Sequence, residues 1–183
     1  MKEQPSYKEL MARVKAFTFD VDGVFTDNSV ILMPGQQPMR LMNVKDGYAV
    51  QHTVKVGYKI AIITGGKSEA VRERFAGLGI QDIYLGASQK LEIFEEFMEL
   101  YDLKPEEILH MGDDLPDYEI MSRVLLPVCP ADAAEEIKNI SLYVSPFKGG
   151  HGCVRDVLEQ VLKVQGKWYN PDDHHQTKDA LSW

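Results

Sequence analysis

The sequence predicts an α/β fold: a doubly wound, Rossmann-like parallel sheet with a small β-hairpin inserted after the first strand. Three observations carry that expectation. Short apolar runs alternate with longer stretches of helical period, the signature of strands covered by helices. The apolar runs end in residues suited to chemistry, as expected where ligands bind beyond the carboxyl ends of strands. The length, 183 residues, suits one domain.

Taken in order, Ser6 with Glu9 three residues on is a capping-box spacing that opens a leading helix through Val14. Strands are expected at 16–19, 59–63, 82–85, 108–111, 125–128 and 142–144. Helices are expected at 46–56, 67–78, 90–101, 116–123, 133–140 and 154–164. Residues 28–33 and 38–43 read as two strands about the turn residues Pro34-Gly35-Gln36-Gln37, a hairpin projecting from the sheet. The stripes Ile93-Phe97-Leu100 and Val157-Val161-Val164 read as core faces. Residues 1–166 are assigned to the domain and 167–183 to a polar tail with Trp168 and Trp183 at its edges. That tail either frays or docks on its own or a neighbouring subunit. His174-His175 within it read as solvated rather than metal-bound.

Composition narrows the function. With 44% hydrophobic and 26% charged residues, the chain has the make-up of a folded globule. A net charge of −8 argues against nucleic-acid binding through general electrostatics. The apolar runs are too short to span a bilayer, and the opening MKEQPSYKEL lacks a secretory apolar region, so a cytoplasmic location without membrane attachment is expected. Cys129 and Cys153 are too few for a disulfide framework or a zinc site.

The chemistry sits after the strands. Asp20-Val21-Asp22-Gly23 follows the first, Thr64-Gly65-Gly66-Lys67 the second, and Gly112-Asp113-Asp114-Leu115-Pro116-Asp117 the fourth, while Lys90 opens the helix after the third. Carboxylates gathered on one edge cannot all stay ionised without a counter-charge, and hard oxygen ligands suit Mg²⁺. A metal there attracts phosphate, whose remaining charge Thr64, the backbone around Gly65 and Lys90 can neutralise. The expectation is a phosphoryl-transfer site.

The ordered set Asp20-Val21-Asp22-Gly23-Val24, Thr64, Lys90 and Gly112-Asp113-Asp114 resembles the four motifs of the haloacid dehalogenase superfamily. That resemblance implies that Asp20 attacks phosphorus, that Asp22 protonates the leaving alkoxide and then activates water, and that Thr64 and Lys90 hold the transferring group. It also implies Mg²⁺ bound by the carboxylates of Asp20 and Asp113 and the backbone carbonyl of Asp22, with Asp114 and Asp117 in support. Neither the interval Gly23 to Asn43 nor Lys90 to Gly112 has room for the cap domain common in the superfamily, so a capless enzyme is expected.

Within the capless members, FDVDGVFTD, NVKDGYA, IITGGKSEAVRERF and GGHGCVRD look like the 3-deoxy-D-manno-octulosonate 8-phosphate phosphatases. The resemblance implies a homotetramer acting on a sugar acid phosphate in lipopolysaccharide core precursor synthesis, with active sites shared between subunits. The resemblance implies the substrate too: related phosphatases acting on nine-carbon ulosonate 9-phosphates carry an acidic residue near the position of Gly66, and its absence here favours the eight-carbon sugar acid. A non-catalytic phosphoacceptor domain is the alternative of another class, opposed by the nucleophile lying on the first strand. Gly65 and Gly66 are expected at the phosphate. Asn43 and Lys45 either touch substrate or flank a helix capped by Asp46. Arg74, through the resemblance, is expected to reach a neighbour's site and meet the substrate carboxylate, with Arg72 and Arg155 as other guanidinium candidates.

Overall fold

The computed structural model describes residues 6–169. Its centre is a six-stranded, all-parallel sheet built from β1 (Ala16–Phe19), β2 (Lys59–Thr64), β3 (Asp82–Leu85), β4 (Ile108–Met111), β5 (Leu126–Cys129) and β6 (Tyr143–Val144), in the order β3-β2-β1-β4-β5-β6. The helices are α1 (Tyr7–Met11), α2 (Val44–Lys55), α3 (Glu69–Gly77), α4 (Lys90–Tyr101), α5 (Tyr118–Met121), α6 (Glu135–Ile140) and α7 (Cys153–Val164).

Alternation along the strands divides the core into two layers. Phe17 and Phe19 of β1 and Ile60 and Ile62 of β2 pack with Val50 of α2, Phe75 of α3 and Leu158 of α7. Ala16, Ala61 and Ile63 face the other way, onto Phe94 and Phe97 of α4 and Ile120 of α5. The order reverses at β1, whose two neighbours are β2 and β4, so Asp20 emerges at the switch point of the sheet. Among the described residues no helix is long and apolar enough to cross a membrane.

Several local expectations need correcting. The two hairpin strands reduce to one antiparallel bridge, Ile31 with Met39, closed by N–H···O bonds of 3.0 and 3.1 Å. Pro34 and Pro38 remove donors, and among the described residues the exposed Val30, Leu32 and Leu41 have no layer to pack on, so longer pairing gains nothing. The leading helix stops at Met11 rather than Val14, although its capping box is present. The helix expected from 46 begins at Val44, because the Asn43 side chain accepts from Lys45 N at 2.8 Å and so caps it. Asp46 instead crosses to α7 and accepts from Arg155 N at 2.7 Å, supplying the cap that Gly152 has no side chain to provide. Pro116 turns the start of the 116–123 helix into a 3-10 turn, Leu115–Asp117. Phe97, Val157 and Val161 are fully buried as expected, with Ile93 packed against the core; Leu100 and Val164 lie outside it, and Phe94, Val154, Leu158 and Leu162 widen the buried faces.

The start of the tail docks on its own subunit. Trp168 sets its ring edge-on to His52 at 5.4 Å and to Tyr48 at 6.3 Å, with the Arg155 guanidinium 5.4 Å from the indole. Residues His174, His175 and Trp183 lie outside the described residues.

Candidate active site

Four chain segments converge on the carboxyl edge of the sheet. Asp20 directly follows β1, fixed by its N–H to Met111 O at 3.1 Å. Lys90 is the first residue of α4, and its ammonium lies 3.0 Å from Asp20 Oδ1 and 2.7 Å from Asp117 Oδ1. Asp117 Oδ2 in turn accepts from Asp113 N at 3.3 Å. The carboxylates of Asp20, Asp113 and Asp117 come within 4.8 Å of one another, and all three residues are buried. His110 lies beneath them, fully buried on β4, with Nδ1 2.8 Å from Thr18 Oγ1 and Nε2 3.5 Å from Asp117.

Crowding and burial shape the ionisation. Burial, then Asp117, push Asp20 up to about 7 against the pull of Lys90. Burial likewise carries Asp113 to about 6, countered by an Asn28 amide that donates to its Oδ2 at 2.8 Å. Burial would raise Asp117 as well, but His110 and Lys90 hold it below the usual carboxylate range. Burial opposes the charge on Lys90, yet Asp20 and Asp117 raise its pKa. Asp20 Oδ1 is buried without a hydrogen bond of good geometry, so its contact with Lys90 is an ion pair only. Three carboxylates facing one ammonium form a donor set of hard oxygens still short of positive charge, which fits a small divalent cation such as Mg²⁺.

Close backbone approach builds the loop that holds this cluster. Gly23, at φ +83°, stands where a Cβ would lie 1.9 Å from Asp113 Oδ2, so no side chain fits. Opposite it, a Cβ on Gly149 would fall 2.0 Å from Gly23 O, and Gly150 N donates to Val24 O at 2.9 Å. Thus the late GGHG segment clamps the DVDG turn backbone to backbone.

The structure brings Asp20, Asp22, Thr64, Lys90 and Asp113 to this one edge. Thr64 ends β2 and its Oγ1 accepts from Gly66 N at 3.2 Å. A Cβ on Gly66 would lie 3.5 Å from Thr64 Oγ1 and 3.8 Å from Asp22 Oδ2, while Gly65 faces open space. Asn43 caps α2 and its amide donates to Gly150 O at 3.3 Å, which ties the hairpin's exit to the clamp; Lys45 is exposed. Arg74 is not drawn in: α3 runs away from the edge, and in its last turn Arg74 rests against Gly47 of α2. Arg72 donates to Ile83 O, and Arg155 pairs with Glu159. Of the supporting acids, Asp117 is buried at the centre, whereas exposed Asp114 only caps the turn after it.

Sequence reasoning missed Arg40, Asn28 and His110. Arg40 grips Asp22 with two hydrogen bonds and lines a narrow cleft with Val21, Thr64, Gly66, Ser68 and Val71. A signal existed: in Met39-Arg40-Leu41 the exposed apolar residues flank the arginine with period two, so Arg40 faces the other way. Asn28 has φ +65°, which its short polar side chain tolerates.

Comparison with known proteins agrees with this geometry. Residues 76–156 match the haloacid dehalogenase-like hydrolase family. The chain is 36% identical over 166 residues, 89% of its length and 88% of the relative's, to the 3-deoxy-D-manno-octulosonate 8-phosphate phosphatase of Escherichia coli (strain B / BL21-DE3). A crystal structure of that phosphatase from Yersinia pestis superposes with a TM-score of 0.86 at 33% identity, covering 88% of this chain and 87% of that one. The Moraxella catarrhalis phosphatase, solved with a magnesium ion, a phosphate ion and a KDO molecule, gives 0.85 at 29% identity over 93% and 96%.

Proposed function

Since this chain belongs to the haloacid dehalogenase-like hydrolases, in the branch of the 3-deoxy-D-manno-octulosonate 8-phosphate phosphatases, we propose that it hydrolyses that sugar acid phosphate through an aspartyl-phosphate intermediate. It is a phosphoric monoester hydrolase. The observation that carries the proposal is the buried Asp20–Lys90–Asp117 chain with Asp113 beside it and Asp22 two residues away, at the point where the strand order reverses.

The roles follow from placement. An Asp20 carboxylate oxygen attacks phosphorus as the bond to the sugar oxygen breaks, and Lys90 holds that carboxylate in position and favours its ionised form. Asp22 delivers a proton to the leaving alkoxide, then takes one from the water that cleaves the acyl phosphate. Thr64 and the N–H groups of Gly65 and Gly66 receive the phosphoryl oxygens. Mg²⁺ is the cofactor; the carboxylates of Asp20 and Asp113 and the backbone carbonyl of Asp22 would hold it, and it would supply positive charge against the phosphoryl group.

The exposed apolar hairpin supports a homotetramer in which neighbouring chains cover one another's open sites, with Arg74 of an adjacent chain reaching the substrate carboxylate. Asn43 and Lys45, at the hairpin's exit, belong to the same substrate-facing rim. The free sugar acid would enter lipopolysaccharide core synthesis in the cytoplasm. A phosphate-release screen over eight- and nine-carbon ulosonate phosphates and hexose phosphates, with Mg²⁺ and with EDTA, tests the reading. The expected result is preference for the eight-carbon acid and silence in EDTA; preference for glucose phosphate removes the substrate assignment.

A further inference from the structure

Both oxygens of the proton-transfer residue are occupied. Arg40 Nε donates to Asp22 Oδ1 at 2.6 Å and Nη2 to Asp22 Oδ2 at 2.9 Å, while Nη1 donates to Pro38 O at 3.1 Å. Only 12% of the arginine side chain is exposed, although it sits in a hairpin arm whose apolar residues face solvent. A fork-on-fork pair of this kind is strong and directional. While it stands, the lone pairs of Asp22 that face Arg40 are taken, and the carboxylate, 36% exposed, is turned toward the guanidinium rather than toward a leaving group or a water.

The same guanidinium borders the phosphoryl-binding turn. Nη2 lies 3.4 Å from where a Cβ on Gly66 would stand, and Thr64 Oγ1 lies 3.5 Å from that point. The cleft these residues line is too narrow for a water molecule as it stands, so an anion reaching Thr64 and Gly66 meets a guanidinium already engaged with a carboxylate. Exchanging one anionic partner for another never leaves the arginine unpaired, which keeps the cost of the exchange low.

We propose that Arg40 is a substrate-binding residue that acts as a latch: in the empty site it holds Asp22, and an anionic oxygen of the arriving substrate takes over the guanidinium and frees Asp22 for proton transfer. This rests on the reading of Asp22 as the proton-transfer group. A ligand that places no anionic oxygen beside Gly66 leaves the latch closed, so binding and activation are one event. The hairpin thereby acts on the chemistry of its own subunit.

The test compares Arg40→Gln and Arg40→Lys with wild type, as full-length protein with Mg²⁺. It measures hydrolysis of the sugar acid phosphate and of para-nitrophenyl phosphate, which has no carboxylate, and inhibition by inorganic phosphate and by the free sugar acid. Arg40→Gln should raise KM for the sugar acid phosphate about tenfold or more, the scale of a lost charge-assisted hydrogen bond, and Arg40→Lys should recover part of it. Should the phosphoryl group be the anion that takes Arg40, inhibition by inorganic phosphate weakens in parallel; should it be the carboxylate, only the sugar acid ligands weaken. An unchanged KM in Arg40→Gln, whether kcat rises or stays, overturns the proposal, with an unaltered melting temperature confirming that the variant is folded. If wild type hydrolyses para-nitrophenyl phosphate but not the sugar acid phosphate, the substrate reading fails, and the latch then stands or falls on inhibition by inorganic phosphate.

Discussion

The carboxyl edge of the sheet and the hairpin that overhangs it are built on opposite principles. At the edge, each functional group is held by several others: Lys90 by two carboxylates, Asp113 by Asn28 and by contact with Gly23, and Asp117 by Lys90, His110 and a backbone amide. The hairpin has one bridge and three polar tethers, Arg40 to Asp22, Asn28 to Asp113 and Asn43 to Gly150 O, and exposes the apolar side chains that would give it a core. The edge keeps its geometry from within the subunit. The hairpin can only gain order from a partner or a ligand.

If that contrast holds, the largest effect belongs to the edge. Asp20→Asn should lower kcat by at least about 10⁴-fold, because the amide cannot form the acyl phosphate, while the fold survives. Single-turnover phosphate release at saturating substrate measures it, and residual activity of several per cent would move the nucleophile elsewhere.

Stability separates the regions next. Phe17→Ala empties a fully buried position against Tyr58 and Phe19 and should cost about 3–5 kcal/mol in urea unfolding. Leu32→Ala, at a side chain 74% exposed, should cost less than about 0.5 kcal/mol in a monomeric sample. Comparable losses at both sites would mean the hairpin packs on its own subunit after all.

A smaller effect concerns the metal. Asp113→Asn should raise the Mg²⁺ concentration for half-maximal activity by about 10–100-fold, since a protein ligand loses its charge. A Mg²⁺ titration of activity decides this, and an unshifted midpoint would take Asp113 out of the ligand set.

The smallest is a pH effect on the metal-free protein. Asp20, Asp113 and Asp46 have folded pKa values of about 7, 6 and 6, all above the ordinary 3.8. Between 3.8 and those values these three acids bind more protons folded than unfolded, so their contribution to stability rises as pH falls; burial holds His110 below its ordinary 6.5, and it offsets part of that gain near pH 6. In EDTA the melting temperature should therefore climb by several degrees from pH 8 to pH 6. Added Mg²⁺ should flatten that climb, because the cation compensates the charge of Asp20 and Asp113 that protonation otherwise removes. A melting temperature that falls over the same range would contradict the burial of these acids.

The two regions also differ in how far they could be read from sequence. Asp20, Thr64, Lys90 and Asp113 were legible because each follows a strand or opens a helix whose period is plain, and parallel topology then places strand ends together. Asn28 sits where no burial period extends, and the alternation Met39-Arg40-Leu41 shows only that Arg40 faces away from its neighbours, so the targets of both residues, Asp113 and Asp22, emerge only with the fold. His110 was hidden for another reason: a histidine inside an apolar strand shows its partner only once β1 lies beside β4 and brings Thr18 opposite. Asp46 looked like a cap for its own helix and serves a distant one, a choice made by the packing of α2 on α7.

The clamp of Gly149 and Gly150 on residues 23–27 has a consequence for the order in which the molecule is made. Cys153 Sγ meets Val24 O across 129 positions of sequence, so the turn bearing Asp22 leaves the ribosome long before the segment that closes it. Domains gather structure from the amino end during synthesis, yet β1 is central and must wait for β2 and β4 on either side. A nascent chain halted before residue 149 therefore carries every residue assigned to the chemistry without the backbone that holds the turn in place. Hydrolysis thus waits on residues 149–153, which close the turn long after the acids it carries have been made.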